Sequence, residues 1–127
     1  MENLYLAKTN QSMEVDFNTN GKLILQGVST PDHVNRFFGP LFEWVKALKE
    51  SKKKEVSFEM FIDYLNTSST RVLIELISLV NSLKEDGTSV EITWKYDEED
   101  EDMLELGEDL ALISEAEFIY QGVKVDY

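Results

Sequence analysis

A chain of 127 residues has the length for one hydrophobic core and not for two. Its 43% hydrophobic residues, among them seven Phe, five Tyr and two Trp, exclude disorder over most of the length, and the lack of cysteine excludes a disulfide framework, a thiol nucleophile and a cysteine zinc site. The net charge of −13 repels nucleic acid and anionic membrane, and it is concentrated: residues 97–127 hold twelve acids against Lys124 alone, whereas residues 1–96 hold thirteen against eleven Lys and Arg.

The opening Met1-Glu2-Asn3-Leu4-Tyr5 lacks the basic stretch and apolar core of a signal peptide, and no run approaches the roughly 18 apolar residues of a membrane span. A cytoplasmic protein without membrane insertion is expected. Met13, Val15 and Phe17 alternate with polar residues, Asn20-Gly21 supplies a tight turn, and Leu23-Ile24-Leu25 opens a second strand, which predicts a β-hairpin. Thr30-Pro31-Asp32 combines a cap, a first-turn proline and an early acid ahead of a helical pattern through Phe37, Leu41, Trp44, Val45 and Leu48. Gly39-Pro40 is expected to divide that helix into a short and a longer piece.

Val56, Phe58, Met60, Ile62 and Tyr64 share one face at a period of two, with Phe61 and Leu65 on the other, the pattern of an interior strand. Val72, Leu73, Leu76, Ile77, Val80 and Leu83 then recur at helical spacing, and Gly87 follows as a left-handed stop. Val90, Ile92, Trp94 and Tyr96 predict another strand, Met103, Leu106 and Leu110 another helix, and Phe118, Tyr120, Val123 and Val125 a last strand. The order β-β-α-β-α-β-α-β implies right-handed crossovers, an α/β fold, and a mixed sheet whose antiparallel part is the initial hairpin. Trp44 and Trp94 lie on apolar faces and are expected in the core.

Between the central strand and the second predicted helix stand Asn66-Thr67-Ser68-Ser69-Thr70, five consecutive small polar residues. Such residues cap helices well. They also place hydroxyls where unpaired N–H groups and a partial positive charge favour an anion, so the segment is a candidate phosphorylation switch, although capping alone accounts for such a run in most proteins that carry one.

Little else in the chain carries chemistry. Histidine occurs once, at His33, so no Ser-His-Asp arrangement can form, and neither a Walker-type nor a dinucleotide-type glycine motif is present. No catalytic residue is expected and the chain reads as non-enzymatic. The run Asp97-Glu98-Glu99-Asp100-Glu101-Asp102, followed by Glu105, Glu108 and Asp109, invites a calcium-binding or small-ligand reading. Acids fall at several ligand positions of an EF-hand-like loop, but Asp102 stands where its sharp turn needs glycine. A solvated acidic loop leading favourably into a helix N-terminus is the simpler expectation, with no metal and no cofactor.

Read together, several segments resemble the SiaC family of bacterial regulatory phosphoproteins, whose fold is like the STAS domain and the anti-sigma-factor antagonists. The matching parts, spread in order over nearly the whole of residues 1–127, are Asn20-Gly21 with Leu23 and Gln26-Gly27, Ser29-Thr30-Pro31, and Phe42-Glu43-Trp44. The most specific are Tyr64-Leu65-Asn66-Thr67-Ser68-Ser69 and Val90-Glu91-Ile92-Thr93-Trp94-Lys95-Tyr96, followed by Asp100-Glu101-Asp102-Met103 and Glu105-Leu106-Gly107-Glu108. Thr30 departs from the pattern, standing where relatives often carry an aromatic residue before Pro31.

The resemblance implies a single regulatory domain phosphorylated on Thr67. A serine/threonine kinase of the histidine-kinase-like ATPase type would add the phosphate and a metal-dependent phosphatase would remove it. In the best-known branch the unphosphorylated form binds and activates a diguanylate cyclase, which links the switch to cyclic-di-GMP and biofilm behaviour. Asn66, Thr67, Ser68, Ser69 and Thr70 would then form the partner-binding surface, with Arg71, four residues beyond Thr67, a candidate phosphate contact.

Overall fold

The computed structural model describes residues 1–126. Its strands are β1 (Leu4–Leu6), β2 (Glu14–Phe17), β3 (Lys22–Ser29), β4 (Glu55–Leu65), β5 (Ser89–Asp97) and β6 (Phe118–Val123). They lie in one sheet in chain order. β1, β2 and β3 pair antiparallel, whereas β3, β4, β5 and β6 run parallel. Helices α1 (Val34–Glu50), α2 (Thr67–Asn81) and α3 (Glu101–Ser114) make the three parallel crossovers. Right-handed crossovers that always step in the same direction put every helix on one face. Period-two side chains from the strands, including Val15, Leu23, Phe58, Met60 and Trp94, meet the helices there in a single core. The expected mixed α/β sheet with its initial hairpin is therefore present, and Gly21 at the hairpin turn takes the positive φ of 101° that the Asn-Gly pair predicts.

Four features differ from the sequence-based expectation. β1 is an added edge strand, three residues long and too short for its alternation to register. α1 starts at Val34 with His33 at its N-cap, not at Thr30-Pro31, because Thr30 is held at the end of β3 by its N–H, which donates to the Gln11 carbonyl at 2.8 Å. α1 also continues through Pro40 as one helix. The carbonyl that Pro40 leaves without a helical partner belongs to Arg36, and both residues are exposed, on the side of α1 where solvent can take the place of the missing N–H.

The fourth difference lies in β4. Its pairing with β3 runs from Gly27 opposite Ile62 to Val28 opposite Tyr64, leaving Asp63 as an inserted residue. The bulge reverses the alternation, so Asp63 and Tyr64 are both exposed and Leu65 turns into the core instead of lying on the opposite face.

Both tryptophans are core residues, with each indole N–H satisfied: Trp44 donates to the Glu2 carbonyl at 2.7 Å and Trp94 to the Met103 carbonyl at 3.0 Å. Trp94 also explains a glycine in the middle of α3. A Cβ on Gly107 would come within 2.5 Å of the indole Cδ1, so the helix seats on the ring only where a side chain is missing.

Candidate functional site

The hydroxyl cluster lies at the rim formed by the C-terminal ends of the parallel strands. β4 ends at Leu65, Asn66 alone makes the connection, and Thr67 is already the first residue of α2. The hydroxyls therefore occupy the first helical turn and do not precede it. Asn66 has extended backbone (φ −79°, ψ 172°) and its side-chain oxygen accepts the Ser69 N–H at 2.8 Å, the standard N-cap bond. The Thr70 hydroxyl donates to the Asn66 carbonyl at 3.0 Å. The N–H groups of Thr67 and Ser68 have no carbonyl four residues earlier in the helix and so remain available at its positive end.

The five residues separate sharply by exposure. Thr67 and Ser68 are exposed, Asn66 and Thr70 half-buried, and Ser69 fully buried. Ser69 does not belong to the partner-facing surface expected of it, because its hydroxyl lies 2.8 Å from that of Ser29, itself fully buried at the end of β3. The outer surface instead runs from Tyr64, 58% exposed, through Thr67 and Ser68 to Arg71. Arg71 lies one turn beyond Thr67 on the same side of α2, and it makes no ion pair among the described residues.

The acidic run leaves the same rim one strand further along, since Lys95 of β5 pairs beside Phe61 of β4. Asp97 ends β5 and its carboxylate accepts the Glu99 N–H at 3.1 Å. Asp100 caps α3 by accepting the Met103 N–H at 3.1 Å, and Glu101 and Asp102 fill the first turn of that helix. Among the described residues no three His, Asp or Glu side chains gather as a metal-binding group. The carboxylates cap and charge a helix N-terminus.

Groups with displaced titration lie away from this rim. On the helix-free face the Tyr5 hydroxyl donates to Glu14 at 2.7 Å, which lowers the Glu14 carboxyl and raises the Tyr5 phenol; a Gln26 amide bond lowers Glu14 further. Burial, with a smaller contribution from the Glu108 charge, raises Tyr120.

A family model for SiaC family regulatory phosphoproteins matches residues 6–122, from the last residue of β1 to the last but one of β6, with all three helices between. The chain belongs to the SiaC family. In crystal structures from Pseudomonas aeruginosa, apo-SiaC is 24% identical and superposes with a TM-score of 0.87, covering 96% of this chain and 100% of that one. The matching chain in the structure of diguanylate cyclase SiaD in complex with its activator SiaC is 25% identical, with a TM-score of 0.88 over 94% of this chain and 99% of that one. An uncharacterised protein of the same species is 29% identical over 89 residues, 70% of this chain and 71% of its own length. The fold is that of SiaC, and family membership makes this chain a regulatory phosphoprotein.

Against this SiaC-like frame, sequence reasoning missed one residue of the site. Ser29 was visible only within Ser29-Thr30-Pro31 of the family pattern, and nothing local announces that a strand-end serine meets a helix forty positions away. The bulge at Asp63, which exposes Tyr64 beside the cluster, likewise has no signature in a run of alternating residues. No helix among the described residues is long and apolar enough to cross a membrane.

Proposed function

We propose that this chain is a cytoplasmic, non-enzymatic partner-switching protein whose state is set by reversible phosphorylation of Thr67. The observation that carries the reading is Thr67 itself, exposed at the first position of a helix whose first turn contains no acid. A phosphate there adds about 1.5 to 2 negative charges beside free N–H groups and one turn from the exposed Arg71. The partner is a diguanylate cyclase, bound and activated by the unphosphorylated form; membership of a family whose Pseudomonas SiaC is an activator of SiaD supports this. A serine/threonine kinase of the histidine-kinase-like ATPase type installs the phosphate and a metal-dependent phosphatase removes it, so cyclic-di-GMP output and biofilm behaviour follow the balance between them.

Release follows from desolvation. The unmodified surface of Thr67, Ser68 and Tyr64 presents neutral groups, and its neighbour along the rim is the acidic β5–α3 connection. A phosphate buried against a partner in that setting loses its hydration, and the exposed Arg71 offsets only part of the loss. Two measurements test the proposal. Mass spectrometry of the protein from its native host should find phosphate on Thr67, and Thr67→Ala should lose it while retaining binding to the host's diguanylate cyclase. Phosphate found only elsewhere, or a Thr67→Ala protein that no longer binds, would defeat the reading.

A further inference from the structure

We infer that Ser29 and Ser69 are positioning residues that hold the Thr67 hydroxyl outward for modification; the inference takes Thr67 as the acceptor proposed above. Three hydrogen bonds among three residues form a closed ring. The Asn66 N–H donates to the Ser29 carbonyl at 3.0 Å, the Ser69 N–H donates to the Asn66 side chain at 2.8 Å, and the Ser29 and Ser69 hydroxyls share a bond of 2.8 Å. Both serines are fully buried. Thr67 and Ser68 are the two residues between Asn66 and Ser69 in the chain, and both are exposed.

Packing alone does not call for this arrangement. Two alanines would occupy nearly the same space in the core without the need to satisfy buried hydroxyls. The buried stripe of Val72, Leu73 and Leu76 sets the rotation of α2, and what the hydroxyl pair adds is a tether that holds the first turn in that rotation against β3. With 3.6 residues per turn, Thr67 lies about 200° around the helix from Ser69. Pinning Ser69 inward on Ser29 therefore aims Thr67 at solvent. Without the ring, the first turn is free to rotate or fray while the rest of α2 stays anchored by Leu73, Leu76, Ile77 and Val80.

The test compares Ser29→Ala, Ser69→Ala and the double variant with Val80→Ala, a core truncation that destabilises α2 without touching the ring. The first readout is amide hydrogen exchange. Ser69 and Thr70 amides should exchange about tenfold faster in the ring variants, the equivalent of one hydrogen bond, and Leu76 and Ile77 amides should not. The second is the rate at which a host extract with Mg-ATP phosphorylates Thr67, well below every melting temperature. Each ring variant should be slowed about tenfold, and the double variant should be no slower than the singles because the pair acts as a unit. Val80→Ala should react at the unmodified rate. Ring variants phosphorylated as fast as the wild type, or faster, would overturn the inference while leaving Thr67 as the acceptor. A wild-type protein that takes no phosphate on Thr67 would remove the parent reading instead. Should an alanine variant fail to fold, Ser29→Cys keeps the volume with a weaker hydrogen bond, and the same two outcomes decide.

Discussion

The β4–α2 and β5–α3 connections leave the same rim of the sheet and end in the same device. In each an Asx side chain accepts the N–H three residues ahead, at 2.8 Å for Asn66 and 3.1 Å for Asp100. Their chemistry is opposite. The first turn of α3 holds Glu101 and Asp102 beneath a charged cap, so permanent carboxylates already complement the positive end of that helix. The first turn of α2 has a neutral cap, no acid and two exposed hydroxyls. Negative charge is thus built into one connection and, on the function proposed above, is added to and removed from the other. A regulatory phosphate suits the second because the geometry that welcomes an anion exists there without one.

The largest expected effect tests that contrast directly. Phosphorylation of Thr67 should weaken binding to a diguanylate cyclase by at least about thirtyfold, the lower end of the 2 to 5 kcal/mol that accompanies an uncompensated buried charge. Thr67→Asp, with one charge in place of nearly two, should weaken it less. Titration of the host cyclase with the three forms measures both, and equal or tighter binding of the phosphorylated form would break the comparison.

The next effect concerns why α3 is the fixed partner. Gly107→Ala gains about 1 kcal/mol of helix propensity but drives a methyl into the buried Trp94 ring, and overpacking of that kind costs up to about 3 kcal/mol. A net loss of about 2 kcal/mol in chemical denaturation is expected. An unchanged or raised midpoint would mean that α3 can shift on the ring and that the acidic turn is less rigidly placed than its contacts indicate.

A smaller pair of effects separates the two caps. Asn66→Ala and Asp100→Ala should each cost about 1 kcal/mol. The Asp100 penalty should shrink between low and high salt, because part of it is a charge on a helix dipole, and the Asn66 penalty should not. Denaturation of both variants at the two salt concentrations decides; matching salt responses would show that the two connections differ less than their residues do.

Much of this was legible in the chain. Period-two runs identify β2 to β5, and the three- and four-residue spacing from Val72 to Val80 identifies α2, because those patterns record which face meets the core; Leu83 lies beyond that helix in a 3₁₀ turn (Ser82–Asp86), and β6 ends at Val123, short of the expected Val125. Asn66 to Arg71 also announced a helix start. The orientation of that start was legible in part, since Ser69 precedes Val72, Leu73 and Leu76 by three, four and seven residues and so shares their buried face; what stayed hidden is its partner, Ser29 on β3. The same holds where context overrides local signals: Gln11 keeps Thr30 out of α1, an exposed position tolerates Pro40 inside that helix, and an inserted Asp63 turns Leu65 inward.

The smallest expected effect is the most discriminating about mechanism. A phosphate on Thr67 should gain about 0.3 to 1 kcal/mol from the N-terminus of α2, as Glu101 and Asp102 do at α3. Opposing this is repulsion from the acids of the neighbouring connection. Both interactions act near the surface, where a Debye length of about 8 Å at physiological salt limits their reach. The two contributions have opposite signs and similar size, so the melting temperature should move by no more than about 4 °C, the shift that about 1 kcal/mol produces in a domain of this length. Calorimetry of the phosphorylated and unmodified proteins measures it. A shift that small, beside a thirtyfold loss of affinity, places the switch at the interface and leaves the fold as its unchanged support. A fall of ten degrees or more would mean that the phosphate melts the first turn of α2, and that release comes from a lost surface in place of a charged one.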